Sequence, residues 1–262
     1  MLDLKTILLP VDFSGRSLEA ARQARGLARR VPCRLILLNV LNSRNSEFEF
    51  EAGGWCMQEL QSYLNREFPD TPVEYAAEPG EPAEVINRVA RERRVDLIVM
   101  AGQNRTPFEA LALGSVTAEV LSSARCPVLV SLYEERGPSP LFRRILCVVD
   151  LSDSTGANLN WSLRFAEAFG ARCDVICVAS IAQDRLPYTE GERLEAIKKR
   201  LDGRGQVLLT AGDPAKMIAA ASADVKYDLL VTGRQRSTDE LSRVHSLPFT
   251  LARLASCPVV AT

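Results

Sequence analysis

Histidine is nearly absent: the 262 residues hold one, His245. That excludes a paired-histidine nucleotide motif and any metal site built on two imidazoles. No GxxxxGK[ST] phosphate loop occurs either, so a P-loop hydrolase is excluded. No apolar run approaches the roughly 20 residues of a membrane span. The opening "MLDLKTILLPVDFS" carries Asp3 early and lacks a basic n-region and a small-residue cleavage site. We therefore expect no signal peptide and a cytoplasmic location. An excess charge of one sign is missing too. The formal net charge is -1, so no global field recruits nucleic acid or an anionic membrane, and neither partner is expected. The one dense basic stretch, "RSLEAARQARGLARR" from Arg16 to Arg30, interleaves its arginines with Leu18, Ala21, Ala24, Leu27 and Ala28. It has no aromatic residue for base stacking and reads as a helix with a solvated basic face.

Cysteine is present but unpatterned. Seven residues at irregular spacing leave one over from any full set of disulfides. Cys126, Cys147, Cys177 and Cys257 lie in apolar runs, as reduced, buried thiols do. Cys173 and Cys177 in "CDVIC" share a face if the segment is a strand. No second cysteine pair follows, so we read them as structural, not as metal ligands.

What the chain does have is itself, twice. "ILLPVDFS" at 7–14 returns as "ILCVVDLS" at 145–152, and "GEPAEVI" at 80–86 as "GDPAKMI" at 212–218. "VDLIVMAG" at 95–102 returns as "YDLLVTG" at 227–233, and "LSSARCPVLV" at 121–130 as "LARLASCPVVA" at 251–261. Asp12 and Asp150 are 138 residues apart, Gly80 and Gly212 are 132 apart, and Cys126 and Cys257 are 131 apart. The second copy is thus slightly shorter, and the period is that of a duplicated domain. We expect repeat one over 1–134, a Gly/Pro linker over 135–140 within "EERGPSP", and repeat two over 141–262.

Each copy alternates strand and helix. In repeat one, strands are expected at Ile7–Val11, Leu35–Val40, Val73–Ala76, Leu97–Met100 and Pro127–Val130. Helices are expected from Ser14/Ser17 to Arg30, near Trp55–Phe68, after Gly80-Glu81-Pro82, and after Gly114. Apolar strands separated by helices make a parallel sheet covered on both faces, hence a doubly wound α/β domain. The polar stretch Asn42–Gly54, with Phe48 and Phe50 among its glutamates, leaves strand two and is expected either to act as a lid or to pack as a short strand.

These motifs resemble the universal stress protein family in its tandem form, over essentially the whole chain. "ILLPVDFSGRS", "GEPAEVI", "VDLIVMAG" and "GSVTAEVLSSARCPVLV" carry the resemblance, in order and twice. It implies two five-stranded parallel sheets of order 3-2-1-4-5 with helices on both faces. It also implies repeats that pack on each other as a pseudo-dimer, with a homodimer of such chains as a further form. Strands one and four then flank a topological switch point, where ligands bind at the carboxyl ends.

Nucleotide-binding members carry G-x2-G-x9-G-[S/T] after strand four. Anchored on Gly114-Ser115, the first two glycine positions fall on Ala101 and Asn104. In repeat two, Gly233 fits the first position, Arg236 stands at the second and His245-Ser246 near the third. The resemblance thus implies a site in repeat one from Pro10, Val11, Asp12, Val40, Met100, Ala101, Asn104, Gly114, Ser115 and Val116. Its ligand would be ATP or another adenine nucleotide with Mg. Gly114 before a helix reads equally as a plain N-cap, and Asp12 as the cap of the next helix. Repeat two reads as a remnant unless Arg234 and Arg236 hold phosphate by side chain. Three readings follow: a stress-response binding module, a nucleotide-free scaffold or sensor acting through protein contacts, and, with no base or metal cluster evident, a weak nucleotide hydrolase.

Overall fold

The computed structural model describes residues 2–12, 14–41, 65–69, 71–102, 113–132, 142–151, 156–179, 188–234 and 246–262. The Asn42–Gly54 stretch, most of the helix expected at Trp55–Phe68, Asn104, the 135–140 linker, Arg236 and His245 lie outside them. The chain divides into two compact units, Asp3–Pro140 and a unit containing Leu141–Thr262.

In the first unit, β1 (Thr6–Val11), β2 (Arg34–Leu41), β3 (Val73–Pro79), β4 (Leu97–Met100) and β5 (Val128–Val130) are parallel in the order β3-β2-β1-β4-β5. The described helices are α1 (Gly15–Ala28), α2 (Pro82–Glu92) and α3 (Ser115–Ser123). Leu97 to Met100 is buried throughout, as a central parallel strand with helices on both faces must be. Ser14 caps α1 by accepting from the Ser17 N–H, and the helix ends at Ala28, short of Arg30. Pro82 opens α2 where its missing N–H costs nothing.

The second unit repeats this plan. Strands β6 (Arg144–Val148), β7 (Arg172–Ala179), β8 (Val207–Ala211), β9 (Leu229–Thr232) and β10 (Val259–Ala261) lie in the order β8-β7-β6-β9-β10, all parallel. Helices α4 (Ala157–Phe169), α5 (Tyr188–Leu201), α6 (Pro214–Asp224) and α7 (Leu247–Leu254) cover them. On one face Leu146, Ile176 and Leu230 meet Ile218 and Leu251.

The recurring aspartates have a shared structural task. Asp96 Oδ2 accepts from the Lys5 and Thr6 N–H groups at 2.8 and 2.9 Å. Asp228 Oδ2 accepts from Arg143 and Arg144 at 2.7 and 2.8 Å. Each carboxylate satisfies backbone donors at the start of the first strand, which would otherwise be left without partners in the unit's own ladder. Gly80 and Gly212 also match: both hold a positive φ, 137° and 131°, at the entry to a Pro-initiated helix. That conformation favours glycine and accounts for its recurrence.

Candidate functional site

The register of repeat one parts two central strands at their carboxyl ends, where this strand order places a binding crevice. β1 pairs with β4 only at Ile7 with Leu97 and Leu8 with Ile98. Beyond that point β1 stays on β2 through Val11, while Val99 and Met100 pair with β5. The strands' partners thus diverge, which is the topological switch point expected of this strand order. Pro10 falls in the part of β1 that has lost β4, where a residue with no N–H interrupts no bond to that neighbour.

Asp12 leaves β1 at the rim of this crevice. Its Oδ1 accepts from the Ser14 N–H at 3.0 Å. Burial alone would raise its pKa, but the Ser14 and Ser17 hydroxyls and the Ser14 backbone N–H together hold it below the ordinary carboxylate value. Val40 lies half-buried near the end of β2, opposite Glu78 of β3. Met100 is buried and Ala101 half-buried where β4 ends. Gly114 is the N-cap of α3, and Ser115 and Val116 open that helix. The described ones among the predicted residues lie at the carboxyl ends of β1, β2 and β4 and at the start of α3; Asn104 lies outside the described residues. They form two groups, Asp12 tied into α1 and Ala101 tied into α3.

The second tie is Thr117, which the sequence reading did not single out. It is buried, and its Oγ1 donates to the Ala101 carbonyl at 3.0 Å. Gly102 was quoted in the motif but given no role by the glycine spacing. Its N–H donates to Ser131 Oγ at 3.2 Å. A Cβ on Gly102 would lie 1.6 Å from the Ser131 carbonyl oxygen, so only glycine lets the two backbones meet.

Gly114 is the opposite case. It is exposed, with φ -55° and ψ 141°, which any residue adopts. Among the described residues a Cβ there would meet nothing nearer than Thr117 Oγ1 at 4.0 Å. The N-cap of the helix it starts makes no side-chain capping bond, and among the described residues no side chain takes that place. The first N–H groups of α3 are therefore open to an acceptor, and the positive end of the helix dipole favours an anion.

Repeat two differs at this spot. Val120 and Leu251 both accept the C-cap N–H of their helices, from Ala124 and Ala255, which fixes the correspondence at 131 residues. On that register Ser246 stands where Ser115 does and Pro248 where Thr117 does. The helix α7 starts one residue later than α3, with Ser246 as N-cap and Pro248 in its first turn. Proline removes one N–H donor and the hydroxyl tie together. Among the described residues Gly233 has the Asn158 side chain near its Cβ direction, at 3.8 Å, and the Arg234 N–H donates to the Thr262 carbonyl at 3.2 Å.

A separate cleft of about 210 Å³ adjoins Asp150 in this repeat, with Arg193 and Arg200 of α5 in its lining. Arg193 donates to the Leu151 carbonyl and Arg200 to Asn160 Oδ1. Sequence spacing gave no hint of either arginine. Among the described residues, no group of three or more His, Cys, Asp or Glu is arranged to hold a metal, and no helix is long and apolar enough to cross a membrane.

Comparison with known proteins gives the same picture as the two units. The sequence model of the universal stress protein family matches residues 3–131 and again 141–262. A universal stress protein of Methanocaldococcus jannaschii is 31% identical over 137 residues, 48% of this chain and 81% of that protein. The crystal structure of a universal stress protein from Archaeoglobus fulgidus superposes with TM-score 0.79 at 19% identity, over 99% of this chain and 98% of that one. One from Pseudomonas aeruginosa does so with TM-score 0.71 at 16% identity, over 99% and 93%.

Proposed function

Because the chain belongs to the universal stress protein family, with one copy of its domain in each half, we propose that it is a cytoplasmic stress-response binding module whose first repeat takes ATP or another adenine nucleotide. The observation that carries this reading is Gly114. Among the described residues nothing requires glycine there: φ is negative, and no neighbour lies closer to the Cβ direction than Thr117 Oγ1 at 4.0 Å. A glycine kept at an uncapped helix start lets a phosphate approach the Ser115 and Val116 N–H groups without a side chain between them. Asp12, with Pro10 and Val11, and Val40 stand on the other side of the crevice for the nucleoside. Mg would accompany the phosphates of ATP. Ala101 in place of a family glycine weakens binding, and affinity in the micromolar to millimolar range is expected.

A scaffold that binds no nucleotide is the second reading. It is favoured by the same Ala101 and by Pro248 in repeat two, where one backbone donor is lost.

Calorimetry with MgATP on Gly114→Val and His245→Val separates them. Loss of binding in the first variant alone supports the nucleotide site in repeat one. The reverse pattern moves the site to repeat two, and an unresponsive wild type leaves the scaffold in front.

A further inference from the structure

The nucleotide reading of repeat one leaves open what sets the spacing between the two walls that would meet the phosphates. One wall is the end of β4 at Ala101 and Gly102. The other is the first turn of α3. Among the described residues a single side-chain bond joins them: Thr117 Oγ1 to the Ala101 carbonyl, 3.0 Å. Thr117 is 6% exposed and Ala101 half-buried, so the bond is partly shielded from competing water. A threonine in the first turn of a helix more often bonds within its own chain segment. Here it reaches 16 residues back, across to the strand end. The next residue, Gly102, is fixed by a second bond, its N–H to Ser131 Oγ beyond β5. Two consecutive residues leaving β4 are thus held from two different elements. Repeat two keeps neither side-chain tie: Pro248 replaces the threonine, and Arg234 is held by a main-chain bond to Thr262.

We propose that Thr117 is a positioning residue for the phosphate end of the site, and that it gives repeat one its preference for phosphorylated nucleotides over the bare nucleoside. It touches no part of the ligand. It holds the strand outlet at one distance from the open N–H groups of α3, so that a phosphate meets both without reorganisation. The inference rests on the nucleotide reading above.

The test is calorimetry of the full chain with MgATP and, separately, with adenosine, on wild type, Thr117→Val and Thr117→Ser. Thr117→Val keeps the shape and removes the bond; Thr117→Ser keeps the hydroxyl. The proposal expects Thr117→Val to weaken ATP about fivefold, because the strand outlet must then be re-ordered when phosphate binds, with adenosine affinity unchanged. Thr117→Ser should retain wild-type ATP affinity. If valine proves incompatible with folding, Thr117→Ala takes its place in the same comparison. Equal loss for ATP and adenosine, or unchanged binding of both, overturns the positioning role while the nucleotide reading stands. A wild type that binds neither ligand refutes the nucleotide reading itself, and the positioning role with it.

Discussion

Alanine at Gly102 and alanine at Gly114 should have opposite consequences, although both glycines flank the same crevice. At Gly102 the added Cβ would lie 1.6 Å from the Ser131 oxygen, 2.8 Å from its carbonyl carbon and 3.1 Å from Val130 Cγ1. The two nearest atoms are backbone, and the Ser131 N–H is bonded to the Met100 carbonyl at 2.9 Å. No rotamer relieves that clash; β4 or β5 must move. Overpacking a well-packed site costs about 1–3 kcal/mol, and a forced backbone shift belongs at the upper end. For a unit of this size, about 3 kcal/mol lowers the melting temperature by roughly 10 °C. At Gly114 nothing among the described residues lies within 4 Å except Thr117 Oγ1 at that limit. Alanine is a poorer N-cap than glycine, and it also restricts the unfolded chain, so the net change stays within about 1 kcal/mol. Scanning calorimetry of the two variants decides. A melting temperature unchanged in Gly102→Ala, or lowered as much in Gly114→Ala, would refute the division of these glycines into one that the fold needs and one that it does not.

Three further outcomes follow from side chains away from the crevice. Tyr227→Phe removes the hydroxyl that donates to Asp174 Oδ2 at 2.8 Å, on a fully buried carboxylate. Urea unfolding should show a loss of about 1.5–3 kcal/mol, and an unchanged midpoint contradicts it. Burial pushes the Cys33 and Cys177 thiols up to about 11 and Cys173 up to about 12, and Cys147 is also raised. Iodoacetamide at pH 8 should leave all four unmodified in the native protein and label them in urea; rapid native labelling contradicts this. For Asp12, burial raises the pKa but the serine hydroxyls and backbone N–H lower it more, so the folded value is depressed. Its bonds therefore stabilise the fold above the ordinary carboxylate pKa of about 4 and are lost as pH falls through the lower folded value. A carboxyl titration by NMR that places Asp12 at or above the ordinary value contradicts the hydrogen-bonded arrangement.

Features governed by local pattern were legible in the sequence. Leu97–Met100 is a strand with the expected ends, Pro82 opens a helix, and the alternation of apolar strands and helices gave a parallel sheet, whose 3-2-1-4-5 order the family resemblance implied. Features that depend on two distant segments meeting were not. The glycine spacing drew attention to Ala101, while the close backbone approach falls one residue later, at Gly102, because Ser131 arrives from the end of β5. Thr117 reads as an ordinary helix residue until Ala101 is seen across from it. Asp174 lies in an apolar strand run beside Cys173, and nothing local announces that Arg172, Gln206 and Tyr227 will supply its hydrogen bonds. Arg193 and Arg200 are spaced as one helix face, but the cleft beside Asp150 exists only once α5 packs near the end of β6.

The central claim is that repeat one holds an adenine nucleotide between Asp12 and Gly114 and that repeat two does not. A crystal structure of the full chain grown with MgATP tests it most directly. The account predicts nucleotide density in repeat one, with phosphate oxygens within hydrogen-bond distance of the Ser115 and Val116 N–H groups, and none at Ser246 and Pro248. Nucleotide in repeat two alone, or a repeat-one crevice left without nucleotide at saturating MgATP, would contradict it.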